Sequence, residues 1–291
     1  MGQIREKMKQ ELSLRGLAES THRAYLAYAR AYVAHFRRSP VELGTEHVRA
    51  WLLYLLITKK SRPATVNVAL AAVKFLYGAT LGKPEVTREL RSVRRTFPAP
   101  DVLSGSEVKS VIENAASLKH KAMFMLMYGA GLRISEVCKL SARDIDSKRM
   151  VVLVRVPKNR HDRVVPLAAR TLEVLRDYWK QYRPEGEYLF PGQDAHQPIT
   201  RNAVQLALKK AAGRALLKKR VYPHLLRHAF ATHSLELGTD IRTLQILLGH
   251  LSIKSTTRYT HLTETRRLAL KLPVRIARRA RRAHPLGLHA A

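Results

Sequence analysis

Arg94-Arg95-Thr96-Phe97-Pro98-Ala99-Pro100 is the stretch that divides this chain. Two prolines with no hydrophobic periodicity read as an extended interdomain linker. A few residues on comes Ser104-Gly105-Ser106-Glu107. A hydroxyl followed three positions later by a carboxylate is the pattern of a capping box, so a new helix starts there. The expected organisation is a first domain over residues 1–95, a linker over 96–103, and a second domain from 104 to about 265.

Upstream of the linker the pattern is helical throughout. Ile4, Met8 and Leu12 recur at helical spacing, and so do Tyr25, Tyr28, Ala29, Tyr32 and Phe36. A third helix is expected over about 46–58, with Trp51, Leu52, Leu55 and Leu56 inward and Thr45 as its N-cap. A fourth begins near Pro63, a residue suited to a helix's first turn. Downstream the domain is mixed. Helices are expected over about 105–116, 119–130 and 133–140. Val151-Val152-Leu153-Val154 is short and β-branched and reads as a strand. Arg163-Val164-Val165-Pro166 is its expected hairpin partner, and helices dominate from about 168 onward. The fold class is therefore mainly α with a small antiparallel β-sheet.

Composition narrows the function. The 291 residues carry 53 Lys+Arg against 22 Asp+Glu, a formal charge of +31. Such an excess self-repels unless a polyanion offsets it, and nucleic acid is the commonest such partner, with an anionic membrane surface as the alternative. The longest apolar run, Ala50 to Ile57, is too short to span a bilayer, which takes ~20 residues. Cys138 is the single cysteine, so no intramolecular disulfide and no cysteine-rich zinc site can form. A reducing compartment is expected. The charged N-terminus has no apolar signal core, and the expected location is cytoplasmic. After Glu264 there is no acid, only eight basic residues between Arg266 and Arg282. This tail, 266–291, reads either as a basic arm on phosphates or, through Leu268, Leu270, Leu272 and Ile276, as a docking helix.

Four short stretches carry the chemistry. In His224-Leu225-Leu226-Arg227-His228, His224 and Arg227 share one helical face. Gly129-Ala130-Gly131-Leu132-Arg133-Ile134-Ser135-Glu136 sets a second arginine at a helix start after a glycine turn. Leu247-Leu248-Gly249-His250 ends a helix at a glycine C-cap. Nine positions beyond His250 stands Tyr259, within Ser255-Thr256-Thr257-Arg258-Tyr259-Thr260-His261.

Together these stretches resemble the tyrosine recombinase family, which includes phage integrases, Xer-type recombinases and integron integrases. The family's signature is arginine, lysine, His-x-x-Arg, a late histidine or tryptophan, and tyrosine. It is met here in order by Arg133, Lys158, His224, Arg227, His250 and Tyr259. Residues 3–90 resemble the family's helical, SAM-like core-binding domain, through Leu14-Arg15-Gly16-Leu17, Thr21, Tyr25 and Ala64-Thr65-Val66-Asn67. The resemblance implies an α+β catalytic domain that closes with the first domain into a C-shaped clamp on duplex DNA. It implies a site-specific DNA recombinase or integrase, of a mobile element or Xer-like, that cuts and rejoins strands through a 3′-phosphotyrosine without ATP, cofactor or metal. It also implies a homotetramer on two DNA sites.

The chemistry accounts for these residue types. Negative charge grows on the phosphate's equatorial oxygens during attack, and two arginines can each donate paired hydrogen bonds to them. Arg133 and Arg227 are the candidates, with Glu136 holding Arg133 in place. By resemblance Tyr259 is the nucleophile, His224 takes its proton, Lys158 protonates the leaving 5′-oxygen, and His250 hydrogen-bonds the phosphate. The turn Pro157-Lys158-Asn159-Arg160-His161-Asp162 lacks the family's usual glycines, and Arg160 and His161 stand as alternatives to Lys158. The competing reading of His224, His228, His233, His250 and His261 is a metal site, but no carboxylate or cysteine sits at ligand spacing beside them. A non-cutting DNA-binding protein and a type IB topoisomerase are the rival functions.

Overall fold

Periodicity at Met8 and Leu12 becomes a helix with both side chains fully buried, and the pattern repeats through the first ninety residues. A computed structural model describes residues 2–94, 101–155 and 162–249 of the chain. These fall into two compact units, one on each side of the proline-rich stretch.

The first unit holds α1 (Gly2–Leu14), α2 (Glu19–Phe36), α3 (Thr45–Leu53), α4 (Pro63–Phe75) and α5 (Glu85–Arg88). No strand occurs among its described residues. Its core gathers Met8, Leu12, Tyr32, Trp51, Val73 and Tyr77. Tyr32 packs edge-on against Trp51, with ring centroids 5.2 Å apart. Its hydroxyl lies 3.1 Å from that of Tyr77, which in turn lies 2.9 Å from the Leu43 carbonyl. A buried phenol needs such a partner, because leaving the hydroxyl unpaired costs about 1–3 kcal/mol. Pro63 occupies the first turn of α4 as expected. The cap of α3 differs from expectation. Thr45 is its first helical residue, and the N-cap is Gly44, whose backbone N–H donates to His47 Nδ1 at 3.2 Å. The imidazole reaches back to the cap, so no threonine hydroxyl is required there. Both α3 and α4 end in one wider π-helical turn, Tyr54–Thr58 and Leu76–Thr80.

The first helix of the second unit starts where the capping box places it. Ser104 Oγ accepts from the Glu107 N–H at 3.2 Å, and Glu107 Oε2 accepts from the Ser104 N–H at 2.7 Å. α6 follows (Gly105–Glu113), then α7 (Leu118–Gly129) and α8 (Ile134–Cys138). α7 has the expected length, one residue earlier, whereas α6 and α8 are shorter than the periodicity suggested, since apolar residues continue past the helix end into buried loops such as Leu140. The sheet is antiparallel, ordered β1 (Ile145–Asp146), β2 (Val151–Val154), β3 (Arg163–Pro166). In the expected hairpin Val152 pairs with Val165, and Val154 with Arg163. β1 was not expected; at two residues it is too short to show alternation. The unit is completed by α9 (Ala169–Tyr182), α10 (Arg201–Arg214), α11 (Pro223–Glu236) and α12 (Ile241–Leu248).

α7 is the hub of this unit. Ala122, Met123, Phe124, Leu126 and Met127 are all buried, so α7 is enclosed on most sides. It packs on α9 and on α11, and α11 carries Leu225, Leu226 and Ala229 into the same core. Truncating such a leucine to alanine costs about 2–5 kcal/mol. Two neighbouring helices therefore fix the ends at which the polar residues gather. Among the described residues no helix is long and apolar enough to cross a membrane.

Candidate active site

Gly131 makes the first junction. Its backbone lies in the left-handed region at φ +61°, and a Cβ there would sit 2.5 Å from Phe230 Cδ1 of α11. Only glycine allows the turn after α7 to press against α11 this closely. The turn delivers Arg133 to the N-cap of α8. Glu136, one turn on, accepts the Arg133 backbone N–H at 2.7 Å and Arg133 Nη1 at 2.8 Å. One carboxylate thus caps the helix and aims the guanidinium that precedes it.

Arg227 comes from the buried face of α11, one turn after His224. Its Nη1 donates to the Gly131 carbonyl at 2.6 Å, and its Nη2 to the Leu248 carbonyl. Nη1 also lies 4.0 Å from Glu136 Oε2. Arg133 and Arg227 therefore share one carboxylate and one end of α12. Their exposures differ: the Arg133 side chain is 29% exposed and that of Arg227 only 2%.

A third arginine completes the cluster, and the sequence reading missed its part in the site. Arg163 lies on the inward face of β3, in the alternation that also buries Val165. Its Nη1 and Nη2 donate to the two oxygens of Glu136 at 2.9 and 2.8 Å, and its Nε donates to the Leu247 carbonyl at 2.8 Å. A signal was present, because a charged residue at an inward strand position must have a buried partner. The last two carbonyls of α12, at Leu247 and Leu248, and that of its C-cap Gly249 accordingly each accept from a different arginine: Arg163, Arg227 and Arg133, the last at 3.1 Å. Cations at a helix C-terminus meet the negative end of its dipole and satisfy carbonyls that have no helical partner. Gly249 caps α12 at φ +57°, and a Cβ there would stand 3.1 Å from Arg163 Nη1.

Electrostatics follow from this packing. Burial would push the Glu136 carboxyl up, but hydrogen bonds and charge from Arg163 and then Arg133 outweigh it and hold the group down at about 2. His224 is exposed at one edge, on the first turn of α11. Partial desolvation, then the positive charges of Arg227 and Arg133, lower its pKa below the ordinary imidazole value; Glu136 opposes them. A neutral imidazole beside a cationic cluster can accept a proton. Its ring stacks on His228, with centroids 6.0 Å apart. Arg133, Glu136 and Arg163 open onto a cleft of about 1680 Å³ whose wall also carries Lys139, Arg143 and Arg242.

Of the residues singled out in the sequence, the structure brings together Arg133, Glu136 and Arg227, and places His224 one turn from Arg227. Lys158, His250 and Tyr259 lie outside the described residues, as do the alternatives Arg160 and His161 and the whole of the basic tail. Among the described residues no group of three His, Cys, Asp or Glu is placed to hold a metal ion.

Comparison with known proteins gives a consistent result. Residues 101–266 match the phage integrase family, and residues 4–85 match the phage integrase N-terminal SAM-like domain. The y4qK protein of Sinorhizobium fredii is 40% identical over 274 residues, covering 94% of this chain and 89% of its own. Tyrosine recombinase XerA of Thermococcus onnurineus is 33% identical over 270 residues, covering 90% and 92%. Among solved structures, the Tn1549 transposon integrase in complex with transposon right end DNA superposes with a TM-score of 0.73 at 18% identity, covering 91% of this chain and 99% of that one. At that identity the likeness is one of fold.

Proposed function

Because this chain belongs to the phage integrase family, the tyrosine recombinases, we propose that its arginine cluster binds the phosphate at which a DNA strand is cut and rejoined. The observation that carries this reading is the placement of Arg133 and Arg227 around Glu136, with His224 one turn from Arg227 on the same helix.

In the proposed reaction Tyr259 Oη attacks the phosphorus and gives its proton to His224. Arg133 and Arg227 donate to the two non-bridging oxygens, whose charge rises in the transition state. The bond to the 5′-oxygen breaks, Lys158 supplies the proton that oxygen takes up, and His250 hydrogen-bonds the phosphate. A 3′-phosphotyrosine and a free 5′-hydroxyl result. The ester keeps the energy of the broken phosphodiester, so a 5′-hydroxyl of a second duplex can reverse the step and exchange strands. Arg227 is buried in this structure, so part of its cover has to give way when a phosphate enters.

The proposal extends to the whole chain. Residues 1–95 act as the core-binding domain, 96–103 as linker, 104–265 as the catalytic domain, and the two domains grip duplex DNA as a clamp. The tail, 266–291, either docks on a neighbouring protomer or lies on phosphates. The working unit is a homotetramer on two specific sites in the cytoplasm, serving a mobile element or an Xer-like role.

The test is a duplex nicked close to the cleavage position, so that the cut strand escapes and the covalent complex accumulates. The wild-type protein is expected to form an SDS-resistant adduct, in EDTA as well, and Tyr259→Phe to form none while still shifting the duplex in a gel. DNA binding without any adduct from the wild type would reduce the chain to a DNA-binding protein. Relaxation of supercoiled plasmid without site preference would make it a topoisomerase.

A further inference from the structure

Arg163 raises a question that the phosphate-binding pair leaves open. Glu136 accepts hydrogen bonds from Arg133 and lies 4.0 Å from Arg227, yet both guanidiniums are needed for a phosphate. A buried carboxylate with only those two partners would close onto them, since Arg–carboxylate pairs prefer the two-pronged arrangement. Each would then offer its N–H groups to Glu136 in place of the substrate.

We infer that Arg163 is a positioning residue that occupies both oxygens of Glu136, and so keeps the carboxylate from taking Arg133 in a two-pronged grip that would compete with the phosphate. The geometry supports this division of work. Arg163 takes both carboxylate oxygens side-on, at 2.9 and 2.8 Å. Arg133 is left with a single side-chain bond to the carboxylate. Arg163 has Nε, Nη1 and Nη2 all committed to the Leu247 carbonyl and to Glu136. Its third bond, from Nε to the Leu247 carbonyl, fixes the end of α12 from which the chain runs on to His250. An ammonium could replace the charge of Arg163, but it could not span two carboxylate oxygens and a carbonyl from one plane.

This inference rests on the reading of Arg133 and Arg227 as phosphate ligands, and the experiment separates the two. On the nicked duplex, single-turnover adduct formation and DNA affinity are measured for wild type, Arg163→Met, Arg163→Lys, Glu136→Gln and the double variant Arg163→Met/Glu136→Gln. Arg163→Met is expected to slow adduct formation about 10- to 100-fold, the usual scale for a group that orients a site without entering it. Its DNA affinity should change less than about threefold, because phosphate contacts elsewhere set affinity. Arg163→Lys should recover part of the rate. The decisive variant is the double one. Removing the unpaired carboxylate should make it faster than Arg163→Met alone, which a merely structural role for Arg163 does not provide. If Arg163→Met fails to fold, the Lys and double variants decide: a folded double variant that forms adduct supports the inference, and a folded double variant that forms none overturns it. A wild-type rate in Arg163→Met, or losses in the two single variants that simply multiply in the double, would also overturn it while leaving the phosphate pair intact. A wild-type protein that forms no adduct would overturn the function reading and this inference together.

Discussion

Replacing Glu136 by glutamine removes one charge from a cluster of four buried or half-buried ionic groups and keeps the side chain's shape. The loss can be sized in two ways. A carboxyl held at about 2 instead of its ordinary 4.5 stabilises the folded unit by about 3 kcal/mol at neutral pH. Breaking a buried ion pair by removing one partner costs about 3–5 kcal/mol, because the other charge stays behind; here Arg163 is that charge. The pH dependence follows from the sign of the shift. The folded-state pKa is depressed, so the contribution is complete above the unfolded value and is lost as pH falls from about 4.5 towards 2. Wild type and Glu136→Gln should therefore differ by about 3 kcal/mol at pH 7 and nearly converge as pH falls to about 2, where the carboxyl takes up its proton in the folded state as well. Urea unfolding followed by Trp179 fluorescence reads the second unit alone if Trp51, the other tryptophan, is changed to phenylalanine. A difference that stays constant from pH 7 to pH 2, or one below about 1 kcal/mol throughout, would refute the picture of a carboxylate held by its arginines.

Two further outcomes are expected. Gly131→Ala would place a methyl group 2.5 Å from the Phe230 ring at a left-handed backbone position, and should destabilise the second unit by about 3 kcal/mol and slow adduct formation; an unchanged melting temperature would remove the glycine from the account. The second-order rate of adduct formation should fall at acid pH with its midpoint below 6.5, since protonating His224 removes the base and its pKa is lowered from that value. A midpoint at or above 6.5 that persists in His224→Gln would assign the titration to another group.

Much of the architecture could be read before any coordinates, for reasons specific to each element. Ser104 and Glu107 announced α6 because a capping box acts within four residues. The hairpin of β2 and β3 was legible in its β-branched residues, and Pro63 marked the start of α4. β1 was not, because a two-residue strand exists only through its partner. Thr45 was read as a cap because it has a hydroxyl, whereas the side chain that reaches back is an imidazole three residues into the turn. The site divides in the same way. Arg133, Glu136, His224 and Arg227 stood out by local spacing. Arg163 did not, because its value lies in contacts with residues 27 and 84 positions away in sequence. To the sequence reading it was only a marker of strand register.

Three successive carbonyls at the end of α12 are held by three arginines from three different elements. Such a joint has no partial setting. Advancing the helix by one residue would offer every guanidinium the wrong oxygen, and unwinding the last turn would release all three together. A force or ligand that pulls on the chain at Gly249 therefore tugs simultaneously on a hairpin, a helix start and a helix interior, so those parts yield in concert or hold in concert.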